Sequence, residues 1–132
     1  MKQYEVFFYK VTEAQREEIN TKGWDSPIGA AYLDITASRQ LPAFKAVTEF
    51  DLYEHATTIT VDDIEHVYTL LQNHKKPWTA SYPCHTDFPR SFSVGDVIWH
   101  KDTDSFYWCA PMGFMEIHNY ELIGYLKGKV HA

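Results

Sequence analysis

Apolar side chains alternate along the amino-terminal part of the chain in the manner of a β-strand. In residues 4–11 both sides of the alternation are apolar, with Tyr4, Val6 and Phe8 on one side and Phe7, Tyr9 and Val11 on the other. A strand with two apolar sides is typical of a sheet that is covered on both faces. We therefore expect this strand inside a sheet, next to at least one layer of helices.

A capping box predicts the first helix. The Thr12 hydroxyl is spaced to accept the amide hydrogen of Gln15, and the Gln15 side chain is spaced to reach back to the Thr12 amide. The helix is expected over residues 13–21, with Gly23 as its left-handed terminator. Its few apolar residues predict that most of the helix surface is exposed.

The middle of the chain mixes strand and helix signals. After a loop at residues 24–27, residues 30–36 predict a second strand of mixed character. Residues 37–48 fit a short helix with Pro42 in its first turn, and they fit a strand almost as well. Residues that are branched at Cβ accumulate in residues 50–60, which predicts another strand.

The most regular apolar stripe of the chain predicts its main helix. The stripe has the i, i+3, i+4, i+7 spacing and consists of Ile64, Val67, Tyr68 and Leu71. Thr60 is the expected N-cap, and Ile59 and Ile64 are placed to form a hydrophobic staple across it. The helix is expected over residues 61–73 and has to end before Pro77.

Three short apolar runs, separated by turn residues, predict a β-meander near the carboxyl end. The runs cover residues 97–100, 106–109 and 114–117, and a further apolar stretch follows at residues 120–126. The many aromatic residues of this region are expected to pack as core, with an exposed binding surface as the alternative. A connection with three prolines, residues 77–90, precedes the meander, and such long irregular loops are commonly functional or mobile.

These elements together predict one α+β domain over residues 1–132, which is the length of a single domain. We expect a mixed or antiparallel sheet, one main amphipathic helix at about 61–73, a shorter amino-terminal helix at about 13–21 and the carboxyl-terminal β-meander. There is no signal-peptide pattern, and no apolar stretch approaches the ~20 residues that span a bilayer, so we expect a cytoplasmic protein. The two cysteines lack Cys-x-x-Cys spacing and are expected to be free, buried thiols.

The negative charge of the chain is concentrated in one segment. The net charge is −6, from 18 acidic and 12 basic residues, which argues against a protein that binds nucleic acid by neutralising phosphates. Residues 46–74 have no lysine or arginine and hold the six acidic residues Glu49, Asp51, Glu54, Asp62, Asp63 and Glu65. Two interpretations stay open: a docking face for a basic partner, including one that mimics a phosphate backbone, or a solvated face whose acids favour a helix start.

No arrangement of residues in the sequence specifies a catalyst, a cofactor or a metal site. Cys84, His85 and Asp87 are the residue types of a nucleophile, base and orienter, but adjacent residues rarely aim their side chains at each other. Cys84 and His85, taken with Cys109 and another histidine, have none of the recognised zinc spacings. We therefore assign no catalytic residue, expect no metal or cofactor, and keep Cys84, His85 and His100 as an alternative site.

A motif in the second half of the chain resembles a known family. Residues 90–98 read R-S-F-S-V-G-D-V-I, and residues 113–117 read G-F-M-E-I. In this pattern the chain resembles a family of small uncharacterised bacteriophage and mobile-element proteins, and the resemblance extends upstream through residues 52–55 and 62–67. It implies a phage origin and an intracellular site of action, and it implies no established activity. The proline-rich segment 83–85 departs from the family pattern, so any role of its residues would be specific to this chain.

The residues of this motif are those that build a turn. Ser91 and Ser93 are suited to bond across a turn, Gly95 is free to adopt a positive φ, and Asp96 is suited to accept turn amides. We therefore interpret the motif as structural, at the start of a hairpin.

The favoured function is non-enzymatic. We expect an accessory protein of a phage or mobile element that binds a host protein with a basic surface, such as a defence or nucleic-acid-handling factor, through its acidic face. Direct binding of nucleic acid or of a membrane is not expected. One alternative is a small enzyme or ligand-binding module that uses residues 77–90 and the aromatic sheet, and another is a structural component of the virion.

Overall fold

In the part of the chain that the structure describes, the helices pack on a five-stranded antiparallel sheet. The computed structural model describes residues 1–87 and 89–131. The strands are β1 (Lys2–Tyr9), β2 (Tyr53–Val61), β3 (Val97–His100), β4 (Ser105–Ala110) and β5 (Gly113–Ile117), in the spatial order β2-β1-β3-β4-β5. The helices are α1 (Glu13–Lys22), α2 (Pro27–Ala37), α3 (Val47–Phe50), α4 (Ile64–Leu70) and α5 (Tyr120–Lys129), with a 3-10 turn at Trp78–Ala80. The predicted α+β class is confirmed.

Strand β1 lies inside the sheet and is covered on both faces, as its two apolar sides predict. Phe7 belongs to a buried cluster that includes Ile28 of α2 and Leu122 of α5. Val6 and Phe8 belong to a second buried cluster on the other face, which includes Val67 of α4 together with Trp78 and Phe92. The sheet therefore separates two hydrophobic cores.

Helix α1 begins and ends as predicted. The Thr12 hydroxyl accepts the Gln15 amide hydrogen at 3.1 Å, and the Gln15 side chain accepts the Thr12 amide hydrogen at 2.8 Å. At the other end Gly23 has a φ of 82°, and its amide donates to the Ile19 carbonyl at 2.8 Å. Local hydrogen bonds at both ends define this helix, which is why its sequence was sufficient to predict it.

The strand predicted at residues 30–36 is wrong, because this segment forms helix α2. The Ser26 hydroxyl caps the helix by accepting the Gly29 amide hydrogen at 3.1 Å, and Pro27 occupies the first turn. Ile28, Ala31 and Ile35 are buried at i, i+3 and i+7, the spacing of one helix face. Pro27 therefore starts a helix instead of ending a loop.

The segment that fitted either a short helix or a strand is mostly irregular. Helix α3 begins only at Val47, and no strand is described between residues 37 and 48. Phe44, Ala46 and Asp51 have positive φ values of 56°, 62° and 54°, a conformation that side chains with a Cβ adopt rarely. The Asp34 carboxylate holds the turn by accepting the Phe44 amide hydrogen at 2.9 Å.

The predicted main helix is shorter than expected. Helix α4 covers Ile64–Leu70 instead of 61–73, so its seven residues make it shorter than the ten-residue α1. Its N-cap is Asp63, which accepts the His66 amide hydrogen at 3.1 Å. Thr60 is not the cap because β2 continues to Val61, which pairs with Lys2 of β1. Because β2 pairs with β1 up to Val61, helix α4 begins later in the chain than predicted.

The carboxyl-terminal meander is confirmed as strands β3, β4 and β5. Phe106 and Trp108 are buried in the core, as the aromatic content predicts. The apolar stretch at residues 120–126, for which the sequence predicts no element, lies in helix α5. Asn119 caps this helix by accepting the Leu122 amide hydrogen at 3.1 Å. None of the described helices combines the length and the apolar character needed to cross a bilayer.

The motif at residues 90–98 builds a turn around a buried carboxylate, which confirms its structural interpretation. Asp96 is fully buried and accepts two hydrogen bonds from the Arg90 guanidinium, at 2.7 and 2.8 Å. It also accepts the amide hydrogens of Ser93 at 2.8 Å and of Tyr9 at 3.0 Å. Gly95 has the expected positive φ, at 101°. The motif thereby fixes the connection before β3 to strand β1.

Candidate functional site

A small cleft lies at the end of the sheet where β1 begins and β3 ends. It has a volume of about 190 Å³ and is lined by Lys2 and Tyr4 of β1, Asp63 and Ile64 at the start of α4, His100 of β3 and Tyr107 of β4. We call it the acidic-aromatic cleft. Tyr4 and His100 are partners in the β1–β3 register, so the pairing of the strands places both rings on the same side of the sheet.

The wall of the cleft is a stacked pair of rings. The Tyr4 and His100 ring centroids are 4.8 Å apart and the ring planes are inclined by 21°. Thr103 contacts the Nδ1 atom of His100 at 2.7 Å. The Nε2 atom of His100 is buried and has no hydrogen-bond partner among the described residues. A buried ring nitrogen without a partner is unusual in a folded protein and marks the cleft as a place for a polar ligand group.

Three carboxylates, of which only Asp63 lines the cleft, act electrostatically on the Tyr4 phenol. Burial raises the pKa of Tyr4, and the negative charges of Asp63, Glu65 and Asp102 raise it further. Asp63 and Glu65 come from the acidic segment identified in the sequence, whereas Asp102 comes from the loop between β3 and β4. Asp102 is therefore a third acidic residue acting on Tyr4 that the charge pattern of residues 46–74 did not predict.

The six predicted acidic residues fall into separate groups. Asp62, Asp63 and Glu65 follow β2, and Glu49 and Asp51 precede it. With about 3.3 Å per residue along an extended strand, the length of β2 separates the two groups by roughly 26 Å. The six carboxylates do not form one continuous face.

Three of the six carboxylates serve contacts within the molecule, and Asp63 is one of them as the N-cap of α4. Asp51 lies 3.8 Å from the Lys10 ammonium and also contacts the Lys129 ammonium, and it accepts the Tyr125 hydroxyl hydrogen at 2.6 Å. Burial opposes ionisation, but the hydrogen bonds from Lys129 and Tyr125 lower the pKa of Asp51. Glu54 accepts a hydrogen bond from the Thr86 hydroxyl. Asp51 in this way connects α5 to the segment just before β2.

Glu49 lines a second and larger cleft of about 490 Å³, between residues 43–49 and the start of α5. Lys45, Asn119 and Glu121 also line it. Its lining carries both signs of charge and has no stacked rings. The approach of α5 to this loop creates the cleft, and sequence reasoning missed it because residues 43–49 and α5 are about 70 positions apart.

The residues of the alternative site lie in three different environments. His100 lines the acidic-aromatic cleft. The ring of His85 stacks on those of His55 and His131 at the outer edge of β2. Cys84 is exposed and donates its thiol hydrogen to the Thr86 carbonyl at 3.3 Å. These three residues do not converge on one site.

Both cysteines are free thiols, as predicted, but only Cys109 is buried; the expected burial of Cys84 is wrong, because it lies exposed in the loop after the 3-10 turn. Cys109 is buried, and burial raises the pKa of its thiol to about 12. Across the described part of the chain, no group of three or more histidine, cysteine, aspartate or glutamate residues is arranged to hold a metal ion.

Sequence reasoning selected Asp63, Glu65 and His100 for different reasons and did not join them. It missed Tyr4 and Tyr107, whose alternation in strands made them look like ordinary core positions. Only the register of β1 against β3 could have indicated that Tyr4 meets His100. Comparison of the chain with protein families, with curated proteins and with solved structures gave no match. The resemblance to phage proteins therefore stays a prediction.

Proposed function

We propose that the protein binds a basic segment of another protein and that the acidic-aromatic cleft receives a lysine or arginine side chain of this partner. The observation that carries the proposal is that Asp63 lines the cleft with the stacked rings of Tyr4 and His100, while the charges of Glu65 and Asp102 also act on the Tyr4 phenol. Ring faces attract cations, and carboxylates form charge-assisted hydrogen bonds with them. A cleft of this composition suits a positively charged side chain.

His100 adds a hydrogen-bond acceptor to the cleft. When its Nδ1–H donates to the Thr103 hydroxyl, the Nε2 atom carries a lone pair and no proton. An ammonium or guanidinium N–H would then supply the missing partner of Nε2. Lys2 also lines the cleft, and its long side chain would have to turn away from an incoming cation.

The net charge of the molecule also favours a basic partner. Its net charge of −6 attracts basic surfaces and speeds their encounter at low ionic strength. In the context that the phage resemblance implies, the partner would be a host protein such as a defence or nucleic-acid-handling factor, and the protein would act as its inhibitor. Support for that context is the sequence resemblance carried by residues 90–98 and 113–117.

Two synthetic peptides, hexalysine and hexaarginine, test the proposal by NMR titration of the isotope-labelled protein. The triple variant Asp63→Asn, Glu65→Gln, Asp102→Asn removes the three negative charges that act on Tyr4, and the asparagine it places at the start of α4 is still a good helix N-cap residue. Exposed contacts of about 0.5 kcal/mol each sum to roughly tenfold weaker binding. The signals of Tyr4 and His100 should shift in the wild type, and the variant should need about ten times more peptide for the same shift.

The matched control is the triple variant Glu13→Gln, Glu17→Gln, Asp25→Asn. It changes the net charge by the same amount, using exposed residues of α1 and of the turn that follows it. It should weaken binding less than twofold. Equal loss of affinity in both triple variants would show that net charge alone attracts the peptides, and the cleft proposal would then be wrong.

A further inference from the structure

Three imidazoles are stacked against the outer edge of β2. They belong to His55 in β2, His85 in the loop after the 3-10 turn, and His131 after α5. The ring centroids of His55 and His85 are 4.7 Å apart, those of His85 and His131 are 4.6 Å apart, and the latter two planes are nearly parallel at 8°. Three segments that are distant in sequence therefore meet through histidine rings.

The hydrogen bonds of His55 define its protonation state. Its Nδ1 atom accepts the amide hydrogen of His131 at 2.9 Å. Because a backbone amide only donates, Nδ1 carries no proton, and the single ring proton lies on Nε2. Nε2 is 2.8 Å from a carboxylate oxygen of Glu5 on the neighbouring strand β1 and donates to it. The observed geometry therefore requires a neutral His55 ring.

Glu5 anchors the cluster from inside the sheet. It is buried and also accepts hydrogen bonds from the Thr58 hydroxyl and the Lys101 ammonium, the latter at 3.2 Å. Burial opposes its ionisation, but the hydrogen bonds from His55, Thr58 and Lys101 lower the pKa of Glu5. Glu5 and Lys101 therefore form an ion pair. The Glu5 carboxylate accepts hydrogen bonds from three side chains, those of His55, Thr58 and Lys101.

The cluster holds two chain segments on an edge strand. The His85 amide donates to the Ala56 carbonyl of β2 at 2.9 Å, and the His131 amide is held by the His55 ring. Strand β2 is the last strand on its side of the sheet. An edge strand presents backbone groups that are free to pair with another chain unless they are covered. Here the loop around His85 and the segment at His131 provide that cover.

We propose that this histidine cluster is a pH-sensitive clamp, in which protonation of the imidazoles releases the loop around His85 and the segment at His131 from the edge of β2. Protonation of His55 at Nδ1 removes the acceptor of the His131 amide. Protonation of His85 places a positive charge next to two rings whose centroids lie 4.7 and 4.6 Å away. Both events act in the same direction, toward opening.

The direction of the pH response follows from His85. Burial lowers its pKa from the ordinary value of 6.5, and His55 and His131 lower it further, while Glu5 acts in the opposite direction. The closed clamp therefore favours neutral His85. Its stability is fully present above pH 6.5 and decreases as the pH falls below that value toward the lowered pKa.

Hydrogen exchange of single amides, followed by NMR, tests the clamp between pH 7.5 and 5.5. The protection factors of the His85 and His131 amides should fall as the pH drops below 6.5, by at most about tenfold per pH unit, which is the limit for the uptake of one proton on opening. The Cys109 amide, which donates to the Asp96 carbonyl inside the sheet at 2.8 Å, is the internal reference and should keep its protection factor.

Two variants identify the groups responsible. His85→Phe keeps a ring in the stack but does not titrate, so the amide of residue 85 should stay protected to a lower pH. His118→Gln removes an exposed histidine outside the cluster and should respond like the wild type. Unchanged protection in the wild type, or the same pH response in His85→Phe as in the wild type, would overturn the proposal.

Discussion

The ion pair between Arg90 and the buried Asp96 is held by several contacts at once. Both carboxylate oxygens are used, and the guanidinium lies over the ring of Phe8 at 4.4 Å and that of Tyr9 at 4.3 Å. Burial raises the pKa of Asp96, and the Arg90 charge opposes that rise. A fully buried carboxylate of this kind depends on its counter-ion, because desolvation makes an unpaired charge expensive.

Replacing Arg90 by methionine should therefore destabilise the protein strongly. The change leaves Asp96 buried without its counter-ion, and we expect the free energy of unfolding to fall by about 3 to 5 kcal/mol in urea denaturation. Arg39→Met, at a position away from the cores, is the control and should change stability by less than about 0.5 kcal/mol. A loss below about 1 kcal/mol for Arg90→Met would mean that the pair does not hold this turn.

At the scale of secondary-structure elements, sequence signals succeed where the deciding contacts are local. The capping box of α1 and the alternating runs of β3 to β5 need only neighbouring residues, and these elements form as predicted. The predictions for residues 30–36 and for Thr60 are wrong for a different reason. Their local signals are ambiguous, and the outcome is decided by packing against the sheet in α2 and by pairing with β1 next to Thr60.

The start of α4 offers a direct test of which cap is used. Asp63→Ala removes the oxygen that accepts the His66 amide hydrogen, and it should cost about 1 kcal/mol of unfolding free energy. Thr60→Val removes the hydroxyl of the cap predicted from the sequence while keeping a residue that suits a strand, and it should cost less than about 0.5 kcal/mol. Chemical denaturation measures both. A larger loss of unfolding free energy for Thr60→Val than for Asp63→Ala would show that Thr60, and not Asp63, is the N-cap of α4.

At the scale of the whole molecule, the candidate site could be predicted only in part. The acidic excess of residues 46–74 is visible in the sequence and does contribute Asp63 and Glu65 to the surroundings of the acidic-aromatic cleft. The division of that segment by β2, and the arrival of Asp102, Tyr4 and His100 from other parts of the sheet, depend on strand order. Strand order brings together residues that are distant in the chain, and no local pattern encodes it.

The pH dependence of global stability should have two stages. His85 has a pKa lowered from 6.5, so stability that is present above pH 6.5 declines as the pH falls below it. Glu5 and Asp51 have pKa values lowered from 4.5 and 3.8, because their hydrogen bonds to lysine and other donors outweigh burial. Their contributions are present above those ordinary values and are lost only as the pH falls further, through the lowered pKa values.

Urea denaturation at intervals between about pH 7.5 and 3 should resolve these stages. His85→Phe should remove the decline that begins near pH 6.5 and leave the acid stage unchanged. Asp51→Asn should weaken the acid stage and leave the decline near pH 6.5 in place, because Asp51 fastens α5 through Lys129 and Tyr125 without contacting the histidine rings. Constant stability from pH 7.5 down to about 4.5 would contradict the contribution of His85, since a group that binds its proton less readily in the folded state must lower stability in that interval.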